Sequence, residues 1–238
     1  MFQRMTCLTA LAAALLALSA SSTVAEPEKK AKPEDLAKAK KALQEVQDFI
    51  GLWKLEGTQK VGGKTEAWKE DVRWGWKFKD GDAWITVTFA EGKGKYFKTG
   101  ELRYDLAKKK YILTLIPAEK DAAEQVFEGE IKNGTLRVER KDAKGDVYRV
   151  TLNTVAEGVR FAFKVEKQDG GKGLFNNMYA MNGNKDGESL AGTGKKAPEC
   201  IVSGGAANIA VQYNGKTYYV CCSGCRDEFN ANPKKYAK

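Results

Sequence analysis

Val72-Arg73-Trp74-Gly75-Trp76-Lys77-Phe78-Lys79 is the stretch on which the fold turns. Apolar side chains occupy every second position, and the residues between them are charged or small. A period of two puts all the apolar groups on one face of a pleated strand. The same alternation recurs downstream. Ile85, Val87 and Phe89 flank Thr86 and Thr88, and further apolar rows follow at Tyr111-Leu113-Leu115, Leu136-Val138, Tyr148-Val150-Leu152 and Val159-Phe161-Phe163-Val165. Turn signals divide the rows: Asp80-Gly81-Asp82, Gly92-Lys93-Gly94, Asn133-Gly134, Lys144-Gly145-Asp146 and Asp169-Gly170-Gly171. Asn-Gly between alternating rows is a hairpin signal, because both central residues of the favoured two-residue turn need positive φ. Residues 51–182 therefore read as about eight to ten short strands with hairpin-length connections and no helical crossover. Closing such an antiparallel meander into an up-and-down barrel removes its exposed edges.

Upstream of the strands the period changes. Pro33 suits the first turn of a helix, where Glu34 and Asp35 oppose the positive end of the dipole. Leu36, Leu43, Val46 and Ile50 share one helical face, and Gly51 is placed to end the helix. Residues 26–50 are thus expected to form a charged tether followed by an amphipathic helix packed across the barrel. Residues 1–25 read as a secretory leader: Arg4, an apolar run from Cys7 to Leu18, and Thr23-Val24-Ala25 as the cut site. That run is shorter than the roughly 20 apolar residues of a membrane span, and no other stretch approaches that length. The expected product is exported, periplasmic or secreted, with no membrane span.

The formal net charge of +9 comes from Lys interleaved with Glu and Asp, without an Arg-rich stripe or a nucleic-acid motif. It is read as a solvated surface, and no nucleic-acid partner is expected. The chain has no histidine. This excludes Ser-His-Asp and Cys-His catalysis, His-ligated haem and every His-containing zinc or copper site. Glu70, Asp71, Glu128 and Glu130 are not paired by any spacing that marks an acid and a base. No enzyme activity is expected.

Downstream, residues 183–197 are rich in Gly, Lys, Asn and Ser and read as a flexible linker before a separate unit at 198–238. Four of the five cysteines lie between Cys200 and Cys225, which points to one local site rather than staples spread through a fold. Around Asn214-Gly215, the rows Ala210–Tyr213 and Lys216–Val220 form a second hairpin signal, which delivers Cys221 and Cys222 at its end. Ser223-Gly224-Cys225 then turns into a short helix that Asn232-Pro233 halts. Amides free at a strand-to-helix turn favour the thiolate, the form that binds metal.

Two resemblances follow from these residues. Gly51-Leu52-Trp53, opening the first strand after a helix, resembles the Gly-x-Trp start of the lipocalin superfamily. It implies a lipocalin-like barrel, which either fills itself with side chains or holds one small apolar ligand. Trp74, Trp76 and Phe78 would line such a ligand, although core packing is the plainer reading of that stripe. Cys200, Cys221 and Cys225, with YNGKTYYVCCSGC and the later Phe229, Pro233 and Tyr236, resemble the YHS domain and the related TRASH module. That resemblance implies a cysteine site for a transition or heavy metal, in a setting of metal trafficking or sensing. Two departures stand out: Ile201 replaces the usual Pro after the first cysteine, and Cys222 is extra. Cys222 is a candidate fourth ligand that ranks behind the other three, since adjacent cysteines seldom both reach one metal.

Three or four thiolates without imidazole suit zinc or copper(I) and exclude Mg and Ca. Four would close a tetrahedral site, whereas three would leave it open or trigonal. Disulfides compete with this reading, because loss of the leader removes Cys7 and leaves four cysteines in an oxidising compartment. Cys222 and Cys225 also form a C-x-x-C pair, but without the βαβ context of a thiol-redox fold.

Overall fold

The computed structural model describes residues 32–155, 158–187 and 197–237. The leader at 1–25, the first residues of the tether and most of the linker lie outside the described residues. Ten antiparallel strands close into a barrel: β1 Gly51–Val61, β2 Lys64–Lys79, β3 Asp82–Phe89, β4 Phe97–Asp105, β5 Lys110–Pro117, β6 Gln125–Lys132, β7 Thr135–Lys141, β8 Val147–Val155, β9 Arg160–Gln168 and β10 Asn176–Lys185. Each strand pairs with the next, and β10 pairs with β1 to complete the ring. The expected mainly-β, up-and-down antiparallel barrel is the fold observed. β10 extends three residues beyond the boundary expected at 182, because Gly183, Asn184 and Lys185 pair with Leu55, Lys54 and Trp53.

The alternating rows face inward. Trp53, Trp74, Ile85, Leu113, Leu152 and Phe163 are fully buried, and the charged residues of the same strands face out, with the exception of the buried Glu70 on β2. Asn133 (φ 50°) and Gly134 (φ 71°) are both left-handed, as their hairpin turn requires. β4, β6 and β10 carry a weak alternation signal, and a glycine in each explains it. A side chain at Gly129 would lie 2.0 Å from the Arg137 carbonyl oxygen, and one at Gly183 would lie 1.9 Å from that of Lys54. At Gly100 it would meet the Thr114 carbonyl oxygen at 2.5 Å. Close strand approach excludes the apolar side chain that would have marked the row.

The N-terminal helix is shorter than its apolar stripe implied. α1 spans Pro33–Leu43, and the chain then tightens into a 3-10 segment, Gln44–Phe49, in which Val46 leaves helical geometry (φ −105°, ψ 20°). The tightening inserts Phe49 into one end of the barrel. Its ring lies 5.3 Å from Phe161 and 5.9 Å from Trp74, and its carbonyl accepts a hydrogen bond from Trp53 Nε1 at 2.7 Å. Tyr111 Oη donates to the Ala42 carbonyl at 2.8 Å, which fixes α1 over the same end. Leu43, Val46 and Ile50 are buried, and Leu36 is half-buried.

The C-terminal unit has a hairpin, β11 Ile209–Tyr213 and β12 Lys216–Val220, followed by α2 Ser223–Ala231 and the single turn α3 Pro233–Tyr236. Its small core gathers Val211, Val220, Cys225 and Phe229, with Tyr218 5.4 Å from the Phe229 ring. α2 rests on β2, whose last residues run past the start of β1, since β1 pairing ends at Gly51 opposite Trp74. Those overhanging residues keep one edge unpaired by β1, and the C-terminal unit covers it. Gly224 permits the approach, because a side chain there would sit 1.7 Å from the Trp76 carbonyl oxygen. No helix among the described residues is long and apolar enough to cross a membrane.

Candidate metal centre

Cys200 lies on a tight loop. Its amide donates to the Gly205 carbonyl at 2.6 Å, and the Gly204 amide donates back to the Cys200 carbonyl at 2.8 Å. The Ile201 amide bonds to the Tyr219 carbonyl at 3.0 Å, which ties the loop to β12. Cys221 follows the end of β12, and Cys225 falls in the first turn of α2. The hairpin thus returns the chain to Cys200, and the helix start supplies the third sulfur.

The Sγ atoms of Cys200, Cys221 and Cys225 all lie within 4.8 Å of one another. Cys221 and Cys225 are 3.6 Å apart, sulfur to sulfur. Three thiolates around one ion with metal–sulfur bonds of about 2.3 Å stand about 3.8 Å from each other, so the donor set fits a soft metal in size as well as in chemistry. Ser203 Oγ is 3.3 Å from Cys221 Sγ. Cys222 is not part of this trio, although its sulfur also takes part in hydrogen bonding with Cys221 and Cys225; it accepts the Trp76 amide of the barrel at 3.4 Å. The extra cysteine therefore lies where the module meets β2.

Crowding sets the protonation. Cys200 is pushed well below the ordinary thiol range, first by hydrogen bonding from Cys221 and then from Cys225 and Ser203. Cys225 is pushed up, chiefly because its thiol is the donor to Cys200 and then to Cys221 and Cys222. Cys222 is drawn down to about 3 by hydrogen bonding from Cys221, Cys225 and the Trp76 amide. Negative charge accumulates in the cluster while neighbouring thiols hold protons against it. A soft cation bound there would displace those protons and relieve the repulsion, coupling its uptake to proton release.

The N-terminal segment completes the surroundings. Lys40 Nζ donates to the Val202 carbonyl at 2.7 Å, and Gln44 Nε2 donates to the Ser203 carbonyl at 2.7 Å. With its amide oriented so that the nitrogen faces a carbonyl and the oxygen an amide, Gln47 donates to the same carbonyl at 2.8 Å and accepts the Gly205 amide. Burial lowers the Lys40 pKa, while the fields of Cys225, Glu228 and Cys200 raise it. The cysteine loop is thus gripped by residues about 160 positions away, and a cation stands beside the sulfurs. No local motif announces Lys40, Gln44, Gln47 or Ser203; only the fold brings them to the loop.

The barrel stripe has a different surrounding. Trp74 is closed in by Phe49 and Phe161, and Trp76 stacks on Phe78 at 5.8 Å. Phe78 is half-buried and lies under Lys40 Nζ, 5.5 Å from the ring centre. Trp74 and Trp76 are packed side chains at the end of the barrel that Phe49 plugs.

Comparison with known proteins agrees with the site and adds little elsewhere. No curated protein matches the chain. Among solved structures, the crystal structure of Rv2717c from M. tuberculosis is 16% identical, with a TM-score of 0.41; the match covers 61% of this chain and 97% of that one. Residues 202–238, which carry Cys221, Cys222 and Cys225 and begin two positions after Cys200, match the family model of the YHS domain.

Proposed function

We propose that this chain is an exported, non-catalytic metal-binding protein that holds a soft transition metal, zinc or copper(I), on Cys200, Cys221 and Cys225 in metal handling or sensing. The observation that carries this reading is the convergence of three sulfurs from separate segments to within 4.8 Å of one another. The YHS match over 202–238 supports it. Three thiolates leave a fourth position open on zinc or suit trigonal copper(I), and both arrangements favour transfer over permanent structural retention. Lys40 offsets part of the negative charge that such a site carries. Export rests on the leader at 1–25, and the ion is then cargo or signal in the periplasm or outside the cell.

Elemental analysis of protein purified under reducing, metal-replete conditions tests the proposal. It predicts about one zinc or copper per chain, lost in Cys200→Ser. Metal-free protein carrying two disulfides by mass spectrometry would contradict it.

A further inference from the structure

The barrel's other end holds a second constellation, unrelated to the cysteines. Trp68 and Trp76 are eight positions apart on β2, so the two ends lie about 26 Å apart along the strand. At the far end, three rings converge. Tyr96 stacks on Tyr179 at 4.1 Å, and Trp68 meets them edge-on at 5.6 and 6.0 Å. Gly57 makes room for the indole, since a side chain there would lie 2.2 Å from it. Glu70 sits beneath, only 6% exposed, and accepts Trp68 Nε1 at 2.9 Å. Its carboxylate also accepts the Lys95 backbone amide at 3.5 Å and, among the described residues, forms no ion pair. The Tyr179 hydroxyl is buried, the residue being 3% exposed, and it has no hydrogen-bond partner.

This end already holds a cation of its own. Lys95, on the loop between β3 and β4, places Nζ 4.3 Å from the centre of the Trp68 ring and 5.6 Å from that of Tyr96. Its only ion pair among the described residues is a loose one to Glu66, at 3.6 Å, and its side chain is 34% exposed. Ring faces attract ammonium groups, and aromatic boxes backed by a carboxylate recognise organic cations. Lys95 belongs to a loop at the rim and its side chain is partly exposed, whereas Trp68, Glu70 and Tyr179 are fixed on strands.

We propose that this mouth is a binding site for a small organic ammonium ion, which replaces the Lys95 ammonium against Trp68 and Tyr96, takes over its charge beside Glu70 and brings a polar partner to the Tyr179 hydroxyl. Lys95 is then a built-in competitor that keeps the box closed until ligand displaces it. Displacement of an internal occupant weakens apparent affinity by the fraction of time the box is blocked.

The test uses choline and its uncharged isostere 3,3-dimethylbutan-1-ol, titrated into the full-length protein at constant ionic strength and followed by tryptophan fluorescence and calorimetry. Choline should bind saturably and the isostere should not. Lys95→Ala should tighten choline binding by about two- to tenfold, a gain that misfolding cannot produce. Glu70→Gln should weaken it by about tenfold, with the far-ultraviolet circular dichroism unchanged. Cys200→Ser should leave it as in the unmodified chain. Equal binding of choline and the isostere, or no saturable choline binding by either the unmodified chain or Lys95→Ala, would overturn the proposal.

Discussion

The barrel and the C-terminal unit are held together by opposite means. The barrel buries a continuous set of large side chains, among them Trp53, Trp74, Phe89, Phe161 and Phe163, and every strand has two neighbours. The C-terminal unit is a two-stranded hairpin and two short helices around a few apolar residues, a size at which a core alone seldom suffices. It borrows stability from elsewhere: from the overhanging edge of β2 through Gly224 and the Trp76 amide, from the side chains of Lys40, Gln44 and Gln47, and, on the function proposed above, from a metal. One region is stabilised by apolar burial and the other by attachment. The difference teaches where each should fail.

Four changes break or sharpen this contrast. Trp74→Ala should have the largest effect, a loss of about 3–5 kcal/mol in urea unfolding, because a fully buried indole between Phe49 and Phe161 leaves a cavity. Metal should come next. Saturation at about 100 to 1,000 times the dissociation constant should stabilise the C-terminal unit by about 2.7–4.1 kcal/mol, read as slower proteolysis within residues 198–237, with chelation reversing it. Gly224→Ala should cost about 1–3 kcal/mol by forcing α2 away from the Trp76 carbonyl. Its signature should be local: hydrogen exchange at the Trp76 amide should accelerate while the amides of β5 to β9 stay protected.

The smallest effect concerns pH. Burial raises the Glu70 pKa above its ordinary value, so the folded chain holds that proton more tightly than the unfolded chain does. The stability this confers is full below the ordinary carboxylate pKa and is lost as pH rises through the raised one. Glu70→Gln removes the loss. Denaturation midpoints should therefore favour the variant progressively more as pH rises from about 4 toward 7.

The same contrast governs what could be read from the amino acids. The barrel was legible where strands kept inward apolar rows, as in Val72–Phe78 and Val159–Val165. It faded at Gly100, Gly129 and Gly183, where close neighbours forbid the side chain that would have carried the signal. The helix was legible in place and face but not in length, because its last turn answers to the barrel end into which Phe49 packs. The cysteines were legible by spacing, since the hairpin and the helix start that join them are local in the chain. Lys40, Gln44 and Gln47 were not, because their contacts to Val202, Ser203 and Gly205 span most of the sequence and leave no periodic trace. Cys222 illustrates the limit best. As the extra cysteine of the cluster it is a candidate fourth ligand, ranked behind the others for its adjacency to Cys221, and only the fold shows its sulfur engaged by the barrel.

That position makes one measurement decisive for the metal centre: metal content per chain of Cys225→Ser and Cys222→Ser, side by side, after purification under reducing, metal-replete conditions. The account predicts that Cys222→Ser keeps about one bound ion while Cys225→Ser loses it. Equal retention by both variants, or equal loss from both, would contradict a site built on Cys200, Cys221 and Cys225.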